Sequence, residues 1–246
     1  MTGGHTARSM MYLEMRVLLR AVPAGATKDD LSWAVVENNV LDKPTLASRK
    51  KSLKHLVQLY GLDPAKALFR VLRKLAEIDP ESLPQLCLVC AYARDPQLRH
   101  TFNLIRTLRL GEVLERAAME RHLEAGFPDR FGAAMKKSLA QNVGTTWTYG
   151  GHLAGRAKKV RRLPEPRPMS AAYAMFVGYL TGLRGERLLD SPYAALVSSN
   201  RAQLQAALNL AAARGLLSLK QAAGIVEFDF SSLLTPNEQA LLHESD

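Results

Sequence analysis

"LSWAVVENNVLDKPTLASRKKSLKHLVQLYG", residues 31–61, decides how the chain is read. Apolar residues recur at helical spacing on both sides of a break that holds Pro44, and the residue before a proline avoids the α region. The stretch therefore reads as helix, short turn, helix, with Thr45 able to cap the second helix. At about 100° per residue, Leu46, Leu53, Leu56, Val57 and Tyr60 share one side of that helix. Ser48, Lys51, Ser52, His55 and Gln58 share the other, with Lys54 beside them. Arg49 and Lys50 flank the apolar stripe, where long stems pack while cationic heads reach outward. From Thr45 to Tyr60 there are five cationic residues, counting His55, and no anion. A helix-turn-helix needs this division: one face locks against the first helix, the other offers polar and basic groups to a DNA groove and its phosphates. The plainer reading is an amphipathic helix whose charged face meets water.

Outward from this pair the chain is punctuated as an all-α protein. Thr27 followed by "KDD" reads as an N-cap with acids in the first turn. Asp63-Pro64, Asp79-Pro80 and Asp95-Pro96 repeat one device, aspartate as N-cap and proline at the first helical position, each opening an amphipathic stretch. Gly61 and Gly111 sit where C-terminal glycines belong. Further helices are expected at 112–124, 129–142, 169–183, 200–213 and 236–243. Strand signal is scarce: "GIVEFDF", 224–230, alternates apolar and acidic residues, and "AKKVRRL", 157–163, is a weaker second candidate. A ribbon beside a helix-turn-helix would be a winged arrangement. No repeat of fixed period is present. Residues 1–110 and 111–246 form the two expected regions, each with one helix-turn-helix-like unit.

The second unit is fainter. "FGAAMKKSLAQNVGTTWTYGGHLAGR", 131–156, suggests a helix carrying Lys136 and Lys137, a break at Gly144, and a short helix opening at Thr145. Thr145, Thr146 and Thr148 would then bond phosphate or base edges, whereas Trp147 is read as a core residue. Next comes "GRAKKVRRLPEPRP", 155–168, with Arg156, Lys158, Lys159, Arg161, Arg162 and Arg167 against the single anion Glu165. Such runs are commonly solvated connectors. Placed after a helix-turn-helix candidate, this one reads as a wing or arm gripping backbone phosphates without reading sequence.

Composition agrees with that partner. Among 246 residues, 47% are apolar and 23% charged, and 33 Lys and Arg against 23 Asp and Glu give a net charge of +10. An excess of this size concentrates polyanions, nucleic acid first and anionic membrane second. The start "MTGGHTARSM" has no apolar core after a basic segment, so no secretory signal is expected. "MSAAYAMFVGYLTGL", 169–183, is uncharged but shorter than the ~18 residues of a spanning helix. A cytoplasmic protein without a membrane span is expected. Cys87 and Cys90 form one C-x-x-C with no second ligand pair, so core thiols are expected rather than a metal site. Phosphate-cradling glycine motifs, paired zinc-ligand histidines and a nucleophile elbow are missing from the sequence. His152, in "YGGHLAG", is read as a surface or phosphate-contacting histidine. Neither catalysis nor a cofactor is expected.

The segment "ENNVLDKPTLASRKKSLKHLVQLYG" and the later run from "SLAQNVGTTWTYGGHLAGRAKKVRRLPEPRP" through "AAGIVEFDF" resemble the BrxA family of bacteriophage-exclusion (BREX) defence systems. The similarity spans residues 9–230; Asn39 before an apolar-basic turn and Ala223-Gly224 before a strand match the family pattern. The resemblance implies an all-helical protein with two helix-turn-helix units, binding double-stranded DNA beside a methyltransferase and ATPases encoded elsewhere. Two other readings stand: an RNA-binding, antitermination-like helical module, and a protein–protein assembly adaptor. Charge alone does not separate A-form from B-form backbones.

Overall fold

The structure is a computed structural model that describes residues 4–222 and 225–243. Its helices in chain order are α1 (Tyr12–Ala21), α2 (Lys28–Val36), α3 (Leu46–Tyr60), α4 (Ala67–Ile78), α5 (Leu83–Arg94), α6 (Pro96–Thr107), α7 (Arg116–Gly126) and α8 (Ala133–Tyr149). A short hairpin, β1 (Leu153–Ala154) and β2 (Val160–Arg161), follows. Then come α9 (Pro168–Leu180), α10 (Glu186–Leu189), α11 (Pro192–Val197), α12 (Arg201–Ala213), a second antiparallel hairpin of β3 (Ser218–Ala222) and β4 (Ile225–Asp229), and α13 (Pro236–His243). The protein is mainly α-helical, as its punctuation predicts.

Two helices organise the rest. In α5 every residue from Leu83 to Tyr92 except Pro84 is buried, and in α9 every residue from Met169 to Gly178. Helices that are apolar all round belong inside. They pack on each other; α5 also meets α1, α3, α4, α6, α8 and α11, while α9 meets α4, α10, α11 and α12. One continuous cluster of buried side chains runs from Met10 to Leu233. Thus α9, the stretch weighed as a membrane span, is a 13-residue core helix, and no helix among the described residues is long and apolar enough to cross a membrane.

Caps explain where helices begin. The Thr27 hydroxyl accepts from Asp30 N, and the Asp30 carboxylate accepts from Thr27 N in return. Asp95 accepts from Gln97 N and Leu98 N, with Pro96 at the first position of α6. Asp79 caps a single 3₁₀ turn that leads into α5. The third Asp-Pro pair differs: Asp63 only bonds Ala65 N in a turn, and α4 starts at Ala67 without a side-chain cap. Helix α7 starts four residues later than expected because residues 111–114 pair with β2, through Gly111 N to Arg161 O, Arg161 N to Glu112 O and Leu114 N to Lys159 O. The expected regional boundary after residue 110 thus abuts a segment that is tied to residues 159–161.

Candidate nucleic-acid interface

The first helix pair forms, with α2 packed on α3, but nine residues (37–45) separate them, longer than a simple helix-turn-helix turn. Thr45 and Ser48 cap α3 reciprocally, so both hydroxyls are committed to the backbone. Arg49 is half-buried and donates to the carbonyls of Val36 and Lys43, closing the turn. The buried side of α3 is Ser52, His55, Leu56, Leu59 and Tyr60. Ser52 (4% exposed) and His55 (8% exposed) therefore face inward, correcting their expected place on the contact face. Leu46, expected inside, is 50% exposed. Besides Leu46, α3 presents Ala47, Lys50, Lys51 and Lys54 to solvent. Burial, then the charges of Arg8, Lys51 and Lys54, lowers the His55 pKa from its ordinary value.

The second expected pair does not form. Helix α8 runs unbroken through Gly144, whose missing side chain leaves room for the Lys159 stem; a Cβ there would lie 3.2 Å from Lys159 Cδ. Thr145 and Thr148 bond back to the carbonyls of Gln141 and Gly144. Thr146 is fully buried: its Oγ1 accepts from Met10 N, meets His5 Nε2 at 2.9 Å and donates to Asn142 O. It is a core anchor, not a groove contact. Lys136 is paired with Glu124 at 2.6 Å, while Lys137 is exposed. Trp147 is in the core as expected, stacked on Phe102 and donating to Thr101 Oγ1.

The basic run is built structure rather than a connector. Hairpin β1–β2 holds residues 155–159 as its loop, and Gly155 turns it at φ 98°, where a Cβ would sit 2.1 Å from Lys158 O. Arg156, Lys158 and Arg162 are exposed. Lys159 leans back on α8 and donates to Thr148 Oγ1, and burial lowers its pKa. Arg161, expected outside, is 6% exposed; its Nη1 bonds the carbonyls of His152 and Arg162, because its strand position points it under the hairpin. Arg167 clamps Asp79 with two bonds, at 2.8 and 3.0 Å, and Gln85 donates to Glu165 O, so the proline segment is fixed too. The arm borders a groove of about 730 Å³ that collects Arg116, Gln141, Thr145, Arg156, Lys158 and Lys159. His152 lies beneath, 1% exposed, bonded to Leu196 O, with burial driving its pKa down to about 3. It is a core histidine, not a phosphate contact.

A closer match to a helix-turn-helix lies where the sequence reading placed only a helix and a strand. Helices α11 and α12 are joined by three residues, Ser198, Ser199 and Asn200, both pack on α9, and hairpin β3–β4 follows with β3 against α12. The strand expected at 224–230 is β4 from Ile225 on, with Gly224 outside the described residues; its partner is 218–222, not 157–163. Ser191 caps α11, where Pro192 is the first residue, and Asn200 caps α12 through Gln203 N. Those Ser-Pro and Ser-Ser-Asn signals were legible. The outer face of α12 offers Arg201, Gln203 and Asn209, and Gln205 bridges Asn209 and Gln221 of β3. Asn and Gln at such positions can bond adenine in the major groove.

Elsewhere the polar chemistry is enclosed. His5 Nδ1 meets Asp95 Oδ2 at 2.8 Å and His5 Nε2 meets Thr146 Oγ1, the order of a hydroxyl–imidazole–carboxylate relay, but all three side chains are buried. Burial raises the Asp95 pKa, but the bonds and charge of His5 outweigh it and leave the carboxyl lowered. Burial pushes the Cys87 thiol up strongly and Cys90 to about 12. Both thiols are free and inside the core. Among the described residues no group of three or more His, Cys, Asp or Glu converges as metal ligands do. No protein-family model matches the chain, and no curated protein matches it.

Proposed function

We propose that this protein is a non-catalytic, cytoplasmic double-stranded DNA-binding component of a BREX-type defence system, a member of the BrxA family it resembles. The observation that carries the DNA reading is the α11–turn–α12 unit with its β3–β4 hairpin, a winged helix-turn-helix in arrangement. In this reading α12 enters the major groove with Gln203 and Asn209 toward base edges. The backbone grip comes from Arg156, Lys158 and Arg162 around the β1–β2 arm, with Lys50, Lys51 and Lys54 on α3. A net charge of +10 supplies the long-range attraction. The methyltransferase and ATPases of the system are the expected protein partners.

Fluorescence anisotropy with a labelled duplex tests this. If about six phosphates are neutralised, log affinity falls with log salt at a slope of roughly −5. Unlabelled duplex should displace the probe better than structured RNA of equal length. Preference for RNA would favour the antitermination-like module. An affinity flat between about 50 and 200 mM salt would remove the electrostatic grip. Absence of nucleic-acid binding, with partner proteins retained after nuclease treatment, would make the chain an adaptor.

A further inference from the structure

A cleft of about 710 Å³ lies at the start of α12, bordered on one side by Arg161 and Leu163 after the loop of the arm. Arg106, Arg161 and Arg201 line it together with the turn 198–200. Their charges are not balanced. Arg201 is engaged by two carboxylates, Glu186 and, at 3.0 Å, Asp190, both also on the wall. Arg106 makes no ion pair among the described residues; its guanidinium lies 5.7 Å from the Phe102 ring centroid. Arg161 is the unusual member. It is more than nine-tenths buried, Nη1 makes the bonds to the protein, and its buried Nε has no partner among the described residues. A guanidinium left with its Nε edge unused is prepared for the side-on, two-point approach of an oxyanion. Leaving it empty costs desolvation without return.

The helix end adds to this. Asn200 caps Gln203 N and accepts from Leu204 N, while the N–H groups of Arg201 and Ala202 find no acceptor among the described residues. The first turn of a 13-residue helix therefore contributes free donors and the positive end of its dipole. The cleft holds more than a bare ion, and Leu163 and Leu189 give it an apolar wall.

We propose that this cleft binds the phosphate of a nucleotide unit: the phosphate against the Arg161 edge, Arg106 and the α12 N-terminus, the sugar hydroxyls toward Glu186 and Asp190. A free nucleotide and a nucleotide of a bound DNA strand carry the same phosphate; the sugar hydroxyls are those of a free ribonucleotide, since a nucleotide within a DNA strand has none. The site does not rest on the DNA-binding reading, since a nucleotide can occupy it without a duplex.

Calorimetric titration of the full chain with adenosine 5′-monophosphate, inorganic phosphate and adenosine tests it. Saturable binding of the monophosphate is expected, weaker binding of phosphate and none of adenosine. Arg106→Gln, at an exposed position, should weaken the monophosphate about 10-fold or more with an unchanged circular dichroism spectrum. Arg161→Gln should abolish binding; if it unfolds the chain, Arg106→Gln decides. Lys158→Gln, on the arm, should leave monophosphate binding as it was. Displacement of the monophosphate by duplex assigns the phosphate to DNA, and simultaneous binding assigns it to a free nucleotide. Duplex binding that drops in Arg106→Gln, with no nucleotide bound, also assigns it to DNA. The proposal is overturned if natively folded protein binds none of the phosphate probes up to about 10 mM and its duplex affinity is indifferent to Arg106→Gln. It is equally overturned if the monophosphate binds but Arg106→Gln leaves its affinity unchanged.

Discussion

Thr146 illustrates how residue type and residue role part company. A threonine in a basic, glycine-rich context suggests a phosphate contact, yet its hydroxyl holds Met10 N and His5 inside the core. Thr146→Val keeps the shape and orphans the Met10 N–H, so it should cost about 2–3 kcal/mol in urea denaturation, whereas Thr146→Ser should recover most of it. A valine variant as stable as the parent would show that the hydroxyl is dispensable. The same gap separates Ser52 and His55 from their expected face. A helical wheel weights side chains by polarity, but α3 is oriented by its neighbours α2 and α5, and the buried stripe centres roughly 90° from the one expected. Lys50, Lys51 and Lys54 stay outside because long cations cannot be buried without a partner. The cationic character of α3 was therefore legible while the identity of its inward polar residues was not.

Elements were read well where local signals dominate and poorly where distant pairing does. Caps at Thr27, Thr45 and Asp95 stand where the sequence places them, because each bond spans only two or three residues. The break expected at Gly144 fails since the glycine answers to Lys159, fifteen positions away in the hairpin, not to a turn. The arm itself depends on β2 pairing with residues 111–114, a contact no local pattern announces. That pairing makes a specific prediction. Arg156 and Lys158 are held out from the fold without structural bonds among the described residues, so Arg156→Gln with Lys158→Gln should leave the melting temperature within a degree or two. The same pair should weaken duplex binding about equally for unrelated sequences and make the salt slope shallower by about 2. Gln203→Ala on α12 should instead relax preference at one base position. Binding unchanged in the arm pair would return the hairpin to a structural part.

At the scale of the molecule, His152 and His55 make the fold sensitive to acid. His152 bonds Leu196 O and faces Arg161, so residues 152 and 161 are joined to α11 through one imidazole. Burial, with the Arg161 charge adding to it, lowers its pKa from 6.5 to about 3. Between those values the unfolded chain binds a proton that the folded chain refuses, so stability rises with pH across that window and falls as the solution is acidified. His55, lowered as well by burial and by Arg8, Lys51 and Lys54, acts in the same direction. Asp95 is lowered from 3.8, so its contribution is present above that value and is lost only as pH falls further through its folded pKa. Stability from urea denaturation should therefore be level near pH 7 to 8 and decline by a few kcal/mol from about pH 6.5 to 4, with Glu238, whose carboxyl is lowered from 4.5, joining the decline at its acid end. His152→Gln preserves a donor for Leu196 O but cannot be protonated. It should lower stability at pH 7 and make the decline between about pH 6.5 and 4 shallower, because the titrating group has gone. A variant whose pH profile runs parallel to the parent's would place the acid sensitivity elsewhere. His55→Gln, at the edge of the cationic face, would then be the next variant to measure, since the fold opposes protonation of its imidazole as well.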